Sequence, residues 1–229
     1  GLWPDLNMWR KFLRQDGLTF GTRLAVTALV LATVFRKHMS LEEQVQEMRK
    51  WFDRIQTQLP NYRVILSQPQ KDSQGVAMML PPTANPELEV IQTQIVHLPE
   101  KSTRPIIEAL IRWQNREVAL LSLHTTRPRN TSTSAFQQQE FTAAARWSQT
   151  QQTQFQRPVL VIGDFNTTPW SGRSRQLQKQ GNLVDSQRGF GWQTTWPAAF
   201  PPPLRIAIDR CLHSSSIVTV NRQPGVNIG

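Results

Sequence analysis

The stretch Val159-Leu160-Val161-Ile162-Gly163-Asp164-Phe165-Asn166-Thr167-Thr168-Pro169-Trp170-Ser171 decides how this chain is read. Four β-branched or long aliphatic residues follow Pro158, and the run stops at Gly163. That is the pattern of a short, fully buried strand bounded by turn chemistry. Asp164 and Asn166 stand at its end, two residues apart. On a strand-like backbone this spacing puts both side chains on one face. One is a charged acceptor; the other offers a donor and an acceptor. Such a pair at the carboxyl end of a buried strand can hold a metal-bound water or orient a phosphate. The bland alternative is an Asx turn that closes the strand, because Asp, Asn, Thr and Pro all favour turns.

On either side of this stretch the chain alternates between strand and helix patterns. Upstream, Ala135 to Gln152 is rich in Gln and Ala and reads as a helix packed on a sheet. Pro128 to Ser134 reads as a loop before it. Leu88 to Val96, Arg104 to Trp113 and Glu117 to His124 read as three strands of an antiparallel meander, with the turn at Asn115-Arg116. Tyr62 to Leu66 and Gly75 to Leu80 are two further strands. In Ser40 to Leu59, Leu41, Val45, Met48, Phe52, Ile55 and Leu59 recur at helical spacing, behind a Ser40/Glu43 capping box. Downstream, Ser171 caps a helix over Arg173 to Lys179, and Gly181 ends it. Asn182 to Trp196 reads as loop. Leu204, Ile206 and Ile208 alternate as a strand ending at Asp209, and Ile217 to Val220 reads as a last strand. The fold class is α/β or α+β, with helices covering more than one sheet.

At 229 residues the chain can bury a substantial core. Its single cysteine, Cys211, excludes a disulfide framework and any multi-cysteine metal site. The net charge is +10, and from Arg157 onward eight Arg or Lys face only three acids. A basic surface suits an anionic partner such as nucleic acid, phospholipid or a phosphorylated small molecule. The longest apolar run, Leu24 to Phe35, has twelve residues, short of the roughly 20 that a spanning helix needs. Residues 1 to 40 are set apart as a divergent or truncated segment, a remnant of a membrane segment or of a first strand. Residues 41 to 229 form the domain.

Three strand ends carry polar residues that break the apolar pattern before them: His124, Asp164 with Asn166, and Asp209. Each alone reads as a turn or a hydrogen-bonded surface residue. Together they are the equipment for metal-assisted attack on a phosphodiester. A carboxylate takes a proton from water, His donates to a phosphoryl oxygen, and a divalent metal stabilises the developing charge.

These motifs resemble the endonuclease/exonuclease/phosphatase superfamily, the group of pancreatic-type deoxyribonuclease, abasic-site endonuclease, sphingomyelinase and inositol-phosphate phosphatases. The resemblance runs from about Tyr62 to Asn227. It is carried by Ser122-Leu123-His124-Thr125-Thr126-Arg127-Pro128, by Gly163 to Ser171, by Gly191-Trp192-Gln193-Thr194-Thr195-Trp196-Pro197 and by Arg205-Ile206-Ala207-Ile208-Asp209-Arg210. The Asn-Thr-Thr-Pro-Trp-Ser tail and the Thr-Trp-Pro look like the bacterial branch. The resemblance implies a four-layer α/β sandwich of two packed, mainly antiparallel or mixed sheets flanked by helices. It implies that His124 contacts the scissile phosphate and Asp164 is the general base. Asn166 then binds the phosphate or a metal, and Asp209 supports a catalytic His near the family's C-terminus. It also implies Mg²⁺ or Mn²⁺, a phosphoester substrate (DNA, RNA, phospholipid or a phosphorylated small molecule), a monomer and a cell-envelope or extracytoplasmic setting. Membrane attachment would come through a missing N-terminal segment.

This sequence departs from the family pattern at both ends. The family's Ser-Asp-His follows a stretch like Gly225-Val226-Asn227-Ile228-Gly229, where this sequence stops. The expectation is a fragment with little or no activity as it stands. No first strand ending in Asn is evident. Glu47 falls roughly where the metal-binding Glu belongs, yet periodicity sets it in a capped helix. The expected function is therefore a divalent-metal-dependent phosphoester hydrolase with Asp164, Asn166 and Glu47 at the metal. The first rival is a non-catalytic phosphate- or nucleic-acid-binding module on the same fold. The second, a Ser or Cys nucleophile, lacks a Gly-x-Ser-x-Gly elbow, and Cys211 sits in an apolar run.

Overall fold

Alternation of apolar residues along the strands sorts the molecule into layers. The structure, a computed structural model, describes residues 62–68, 70, 75–80, 88–113, 115–191, 193–197 and 200–222. In chain order its elements are β1 (Arg63–Gln68), β2 (Val76–Leu80), β3 (Leu88–Val96), β4 (Ile106–Trp113), β5 (Arg116–His124), α1 (Thr131–Thr153), β6 (Val159–Asp164), α2 (Gly172–Gln180), β7 (Leu183–Asp185) and β8 (Asp209–Ser214). A six-stranded sheet runs β3-β4-β5-β6-β8-β7, and β1 pairs with β2 in a second sheet. Among the described strands, only β5 and β6 are parallel neighbours, joined by a crossover through α1. The other pairs are antiparallel.

The central strands bury both faces, which explains their unbroken apolar runs. Ala119, Leu121 and Leu123 of β5 and Val159 and Val161 of β6 join Phe141, Ala144 and Ala145 of α1 and Leu177 of α2 in one core cluster. The alternate residues Val118, Leu120, Leu160 and Ile162 join Val76, Met78 and Leu80 of β2 in the other. Helices therefore cover one face of the large sheet and the small sheet covers the other. This is the α/β sandwich expected, with both sheets and the helical layer of α1 and α2 among the described residues. The helix expected over Ser40 to Leu59, the run Leu24 to Phe35, the segment 1 to 40 and Glu47 lie outside them. Among the described residues no helix is long and apolar enough to cross a membrane.

The helix ends follow local chemistry. Asn130 caps α1 and forms a reciprocal box with Thr133, so the helix begins at Thr131, inside the segment read as loop. Ser171 caps α2 and Gly181 closes it, as expected. The meander of β3, β4 and β5 is present, with Asn115 at φ 64° in its second turn.

Three other sequence readings are corrected. Asn182 to Trp196 is not all loop: Leu183–Asp185 adds an edge strand to β8, and Trp196 bridges Ile206. The strand expected over Leu204 to Ile208 is instead a 3₁₀ turn, Pro202–Leu204, followed by that single bridge. Three consecutive prolines lack the N–H groups a ladder needs, and beyond the bridge at Ile206 continuous pairing starts at Asp209. Ile217 to Val220 forms no strand; Val218 and Val220 are exposed.

Candidate active site

Strand register brings the three polar strand ends together. His124 is the register partner of Asp164 across the parallel β5–β6 pair. Asp164 is in turn the partner of Asp209 across the antiparallel β6–β8 pair. Asp209 begins its strand rather than ending one. Because β8 runs opposite to β6, its first residue meets the last residue of β6. Period two places all three on the face of Leu120, Ile162 and Cys211, toward the small sheet. They form a row at one end of the space between the sheets.

Asn166 joins this row by a different route from the one the spacing suggested. β6 stops at Asp164, and Asn166 sits at φ 45°, outside strand geometry. The backbone N–H of Asn166 donates to Asp164 Oδ1 at 2.7 Å, which is the Asx turn of the bland reading. The turn and the polar cluster coexist. The Asn166 side-chain amide donates to the Thr125 carbonyl at 2.8 Å, tying the turn to the residue after His124. Thr125 closes the other side: its N–H donates to Asp164 O at 3.1 Å and its hydroxyl to Phe165 O at 2.7 Å. Buried Gln137 of α1 donates to Phe165 O at 3.2 Å from below.

Gly163 makes the close approach of β5 and β6 possible. It adopts φ +137°, and a Cβ there would overlap the Leu123 carbonyl. The alignment of His124 with Asp164 depends on that contact.

Burial dominates the electrostatics. Asp164 is pushed up to about 7, first by desolvation and then by the Asp209 carboxylate beside it. Asp209 is also raised by burial, although the Thr195 hydroxyl opposes the shift. His124 is lowered to about 4 by burial and by Arg104. Its Nε2 lies 4.0 Å from Asp164 Oδ2. At neutral pH the imidazole is uncharged, so this contact is neither an ion pair nor a hydrogen bond. It leaves a gap that a bridging polar group can span.

Residues not singled out in the sequence complete the surroundings. Arg104 lies 4.0 Å from buried Glu140, which accepts from the Thr126 N–H at 2.7 Å and the Thr126 hydroxyl at 3.0 Å. The charges of Arg104 and Arg127 both act on Asp164. Thr195 Oγ1 accepts from the backbone N–H groups of Ile208 and Asp209, each at 3.3 Å. Arg127 and Thr195 stand inside the quoted motifs. Arg104 is marked only as a cation ahead of an apolar strand, and Gln137 is hidden in a glutamine-rich helix.

A model of the Endonuclease/Exonuclease/phosphatase family matches residues 25–229. The chain belongs to this family. Members of the family hydrolyse phosphoesters and generally use divalent metals, and membership supports, for this chain, a phosphoester hydrolase at the coarse level. No curated protein matches the sequence. Solved structures share the family fold at low identity. The endonuclease/exonuclease/phosphatase from Bacteroides vulgatus is 14% identical with TM-score 0.57, over 74% of this chain and 70% of that one. The mannosyl-6-phosphatase of Bacteroides thetaiotaomicron is 12% identical with TM-score 0.56, over 73% and 68%. D. rerio TDP2, complexed with a single strand DNA product, is 12% identical with TM-score 0.52, over 79% and 81%.

The oxygen donors of this family member suit a hard divalent cation. The Asp209 carboxylate beside Asp164 raises the cost of ionising Asp164, and a cation would relieve that cost. Among the described residues no group of three or more His, Cys, Asp and Glu is arranged for a metal. Cys211 is buried, and burial pushes its thiol up to about 11, an environment that does not favour a thiolate nucleophile.

Proposed function

We propose that this chain is a divalent-metal-dependent phosphoester hydrolase, with a phosphodiester as its preferred substrate, and that Asp164 activates the attacking water. The single observation that carries this reading is the row His124, Asp164 and Asp209, in register on three adjacent strands.

The roles follow from the environments. Asp164, in register between His124 and Asp209, is placed to act as general base on a water beside the phosphate. It takes the water proton as the water oxygen attacks phosphorus; the ester P–O bond breaks and the leaving oxygen departs as the alcohol, protonated from solvent. Neutral His124 keeps one N–H to donate to a non-bridging phosphoryl oxygen. The Asn166 amide nitrogen is committed to Thr125 O, which leaves its side-chain oxygen for a ligand. Asp209 raises the basicity of Asp164. Asp164 and Asn166 would hold Mg²⁺ or Mn²⁺, with Glu47 as the third ligand expected from the sequence. When bound, such an ion supplies charge stabilisation at the phosphoryl oxygens.

The test is hydrolysis of bis-p-nitrophenyl phosphate with Mg²⁺ or Mn²⁺, before and after EDTA. Turnover that needs the ion is expected. Tight binding of phosphate or nucleic acid without turnover would overturn this reading in favour of a binding module.

A further inference from the structure

We propose that Gln137 is a positioning residue for the reaction: its side-chain amide, oriented by Arg173, clamps together the two loops that follow β5 and β6. The assignment rests on the hydrolase reading above and adds to it two residues that stand behind the reacting row.

Gln137 is fully buried in α1, at 0% exposure. A polar side chain there costs free energy unless it is bonded. Phe141, Ala144 and Ala145, which share the buried face, are ordinary core residues. The Gln137 amide nitrogen instead meets three acceptors. These are Phe165 O at 3.2 Å, and Thr125 Oγ1 and Asn166 O at 3.4 Å each. Two N–H groups therefore serve three acceptors, and the lengths are those of a shared donor. Thr125 directly follows His124, and Phe165 and Asn166 directly follow Asp164. The Thr125 hydroxyl also donates to Phe165 O at 2.7 Å, so amide, hydroxyl and carbonyls form one network whose bonds reinforce each other. The β5–β6 register ends at His124 and Asp164. Beyond it, this network sets how the two loops sit.

Arg173 supplies an independent observation. It stands in the first turn of α2, where the helix dipole disfavours a cation and no acid offsets it. Its Nη1 donates to Gln137 Oε1 at 3.4 Å. An amide can present either end to its surroundings. A guanidinium on the oxygen leaves the nitrogen facing the loops. The reversed amide would set its oxygen against the carbonyl oxygens of Phe165 and Asn166.

The consequence falls on Asp164. The Asn166 N–H holds Asp164 Oδ1 at 2.7 Å from a turn at φ 45°. With the clamp released, Asp164 and Asn166 shift relative to His124. A misplacement of about 1 Å costs about a hundredfold in rate. The groups that meet the substrate are unchanged, so turnover falls while KM holds.

The experiment uses the full chain with Gln137→Met, of similar length but without donors, and with Arg173→Met at the half-buried edge of the network. The values of kcat and KM for bis-p-nitrophenyl phosphate with Mg²⁺ are measured beside amide hydrogen exchange at Thr125 and Asn166. Gln137→Met is expected to lower kcat by about tenfold or more, with KM within about twofold. It should speed exchange at Thr125 and Asn166 while exchange within β5 and β6 holds. Arg173→Met should move both readouts the same way, to a smaller extent. Native kcat in Gln137→Met overturns the proposal. So does a lower kcat that comes with faster exchange across the whole sheet, which makes Gln137 a general core residue. If Gln137→Met does not fold, native kcat and native exchange in Arg173→Met overturn it instead. If the native chain turns over nothing, the hydrolase reading fails, and exchange at Thr125 and Asn166 alone decides whether the clamp exists.

Discussion

Asp164 and Asp209 face each other across the antiparallel β6–β8 pair, and each carboxyl is held above its ordinary value by burial. Two adjacent, largely desolvated acids are an expense that a fold built for stability alone avoids. Their presence at the ends of adjoining, well-packed strands supports the proposal that the reaction takes place at this end of the sheet.

That pair sets a pH signature. Asp164 is raised to about 7 in the fold, from 3.8. The folded state therefore binds a proton that the unfolded state releases, and this stabilisation is fully present below about pH 4 and lost as pH rises through 7. The loss amounts to at most about 4 kcal/mol. In EDTA, Asp164→Asn should lose less stability than the native chain between pH 4 and 7, as read from melting curves. Added Mg²⁺ or Mn²⁺ should restore native stability at pH 7 and have a smaller effect on the variant.

Gly163→Ala should destabilise by about 3 kcal/mol or more, because both its φ and its space are taken. Urea unfolding measures this. A change below about 0.5 kcal/mol would mean that β5 and β6 do not approach as described.

Beneath the row lies a buried ion pair. Arg210 Nη2 meets Asp185 Oδ2 at 2.6 Å, Nε reaches the same oxygen at 3.0 Å, and the guanidinium also bonds Ser174 and lies 5.2 Å from the Phe165 ring centre. Asp185→Asn should leave an uncompensated buried charge and cost about 3–5 kcal/mol. The double replacement Asp185→Asn with Arg210→Met should recover part of that loss. A single variant as stable as the native chain would show that the pair is not buried.

Glu140 acts through others. It holds the Thr126 N–H and hydroxyl and stands near Arg104. Glu140→Gln should keep the fold but lower kcat by about tenfold through misplacement of the loop after His124. Circular dichroism and steady-state kinetics separate the two effects. Unchanged kcat would confine Glu140 to a structural role.

The sequence made the strands legible where both faces are apolar. Val159 to Ile162 and Leu120 to Leu123 have no other reading once α1 and the small sheet cover them. The polar strand ends were legible because His124, Asp164 and Asp209 interrupt those runs. Their alignment was not, since register is set by the Gly163 contact and by pairing partners distant in the chain. The region from Asn182 to Ile208 misled because its ordering is tertiary. Leu183–Asp185 becomes a strand only against β8, and Trp196 is fixed by one bridge to Ile206. Asn166 misled in a different way: a spacing of two means one face only while the backbone stays extended, and here it turns.

The most direct test of the account is the rate of bis-p-nitrophenyl phosphate hydrolysis by Asp164→Asn, with Mg²⁺ at pH 8, alongside the native protein. The account predicts a fall of about a hundredfold or more with a native circular dichroism spectrum. A folded variant that turns over at the native rate would contradict it.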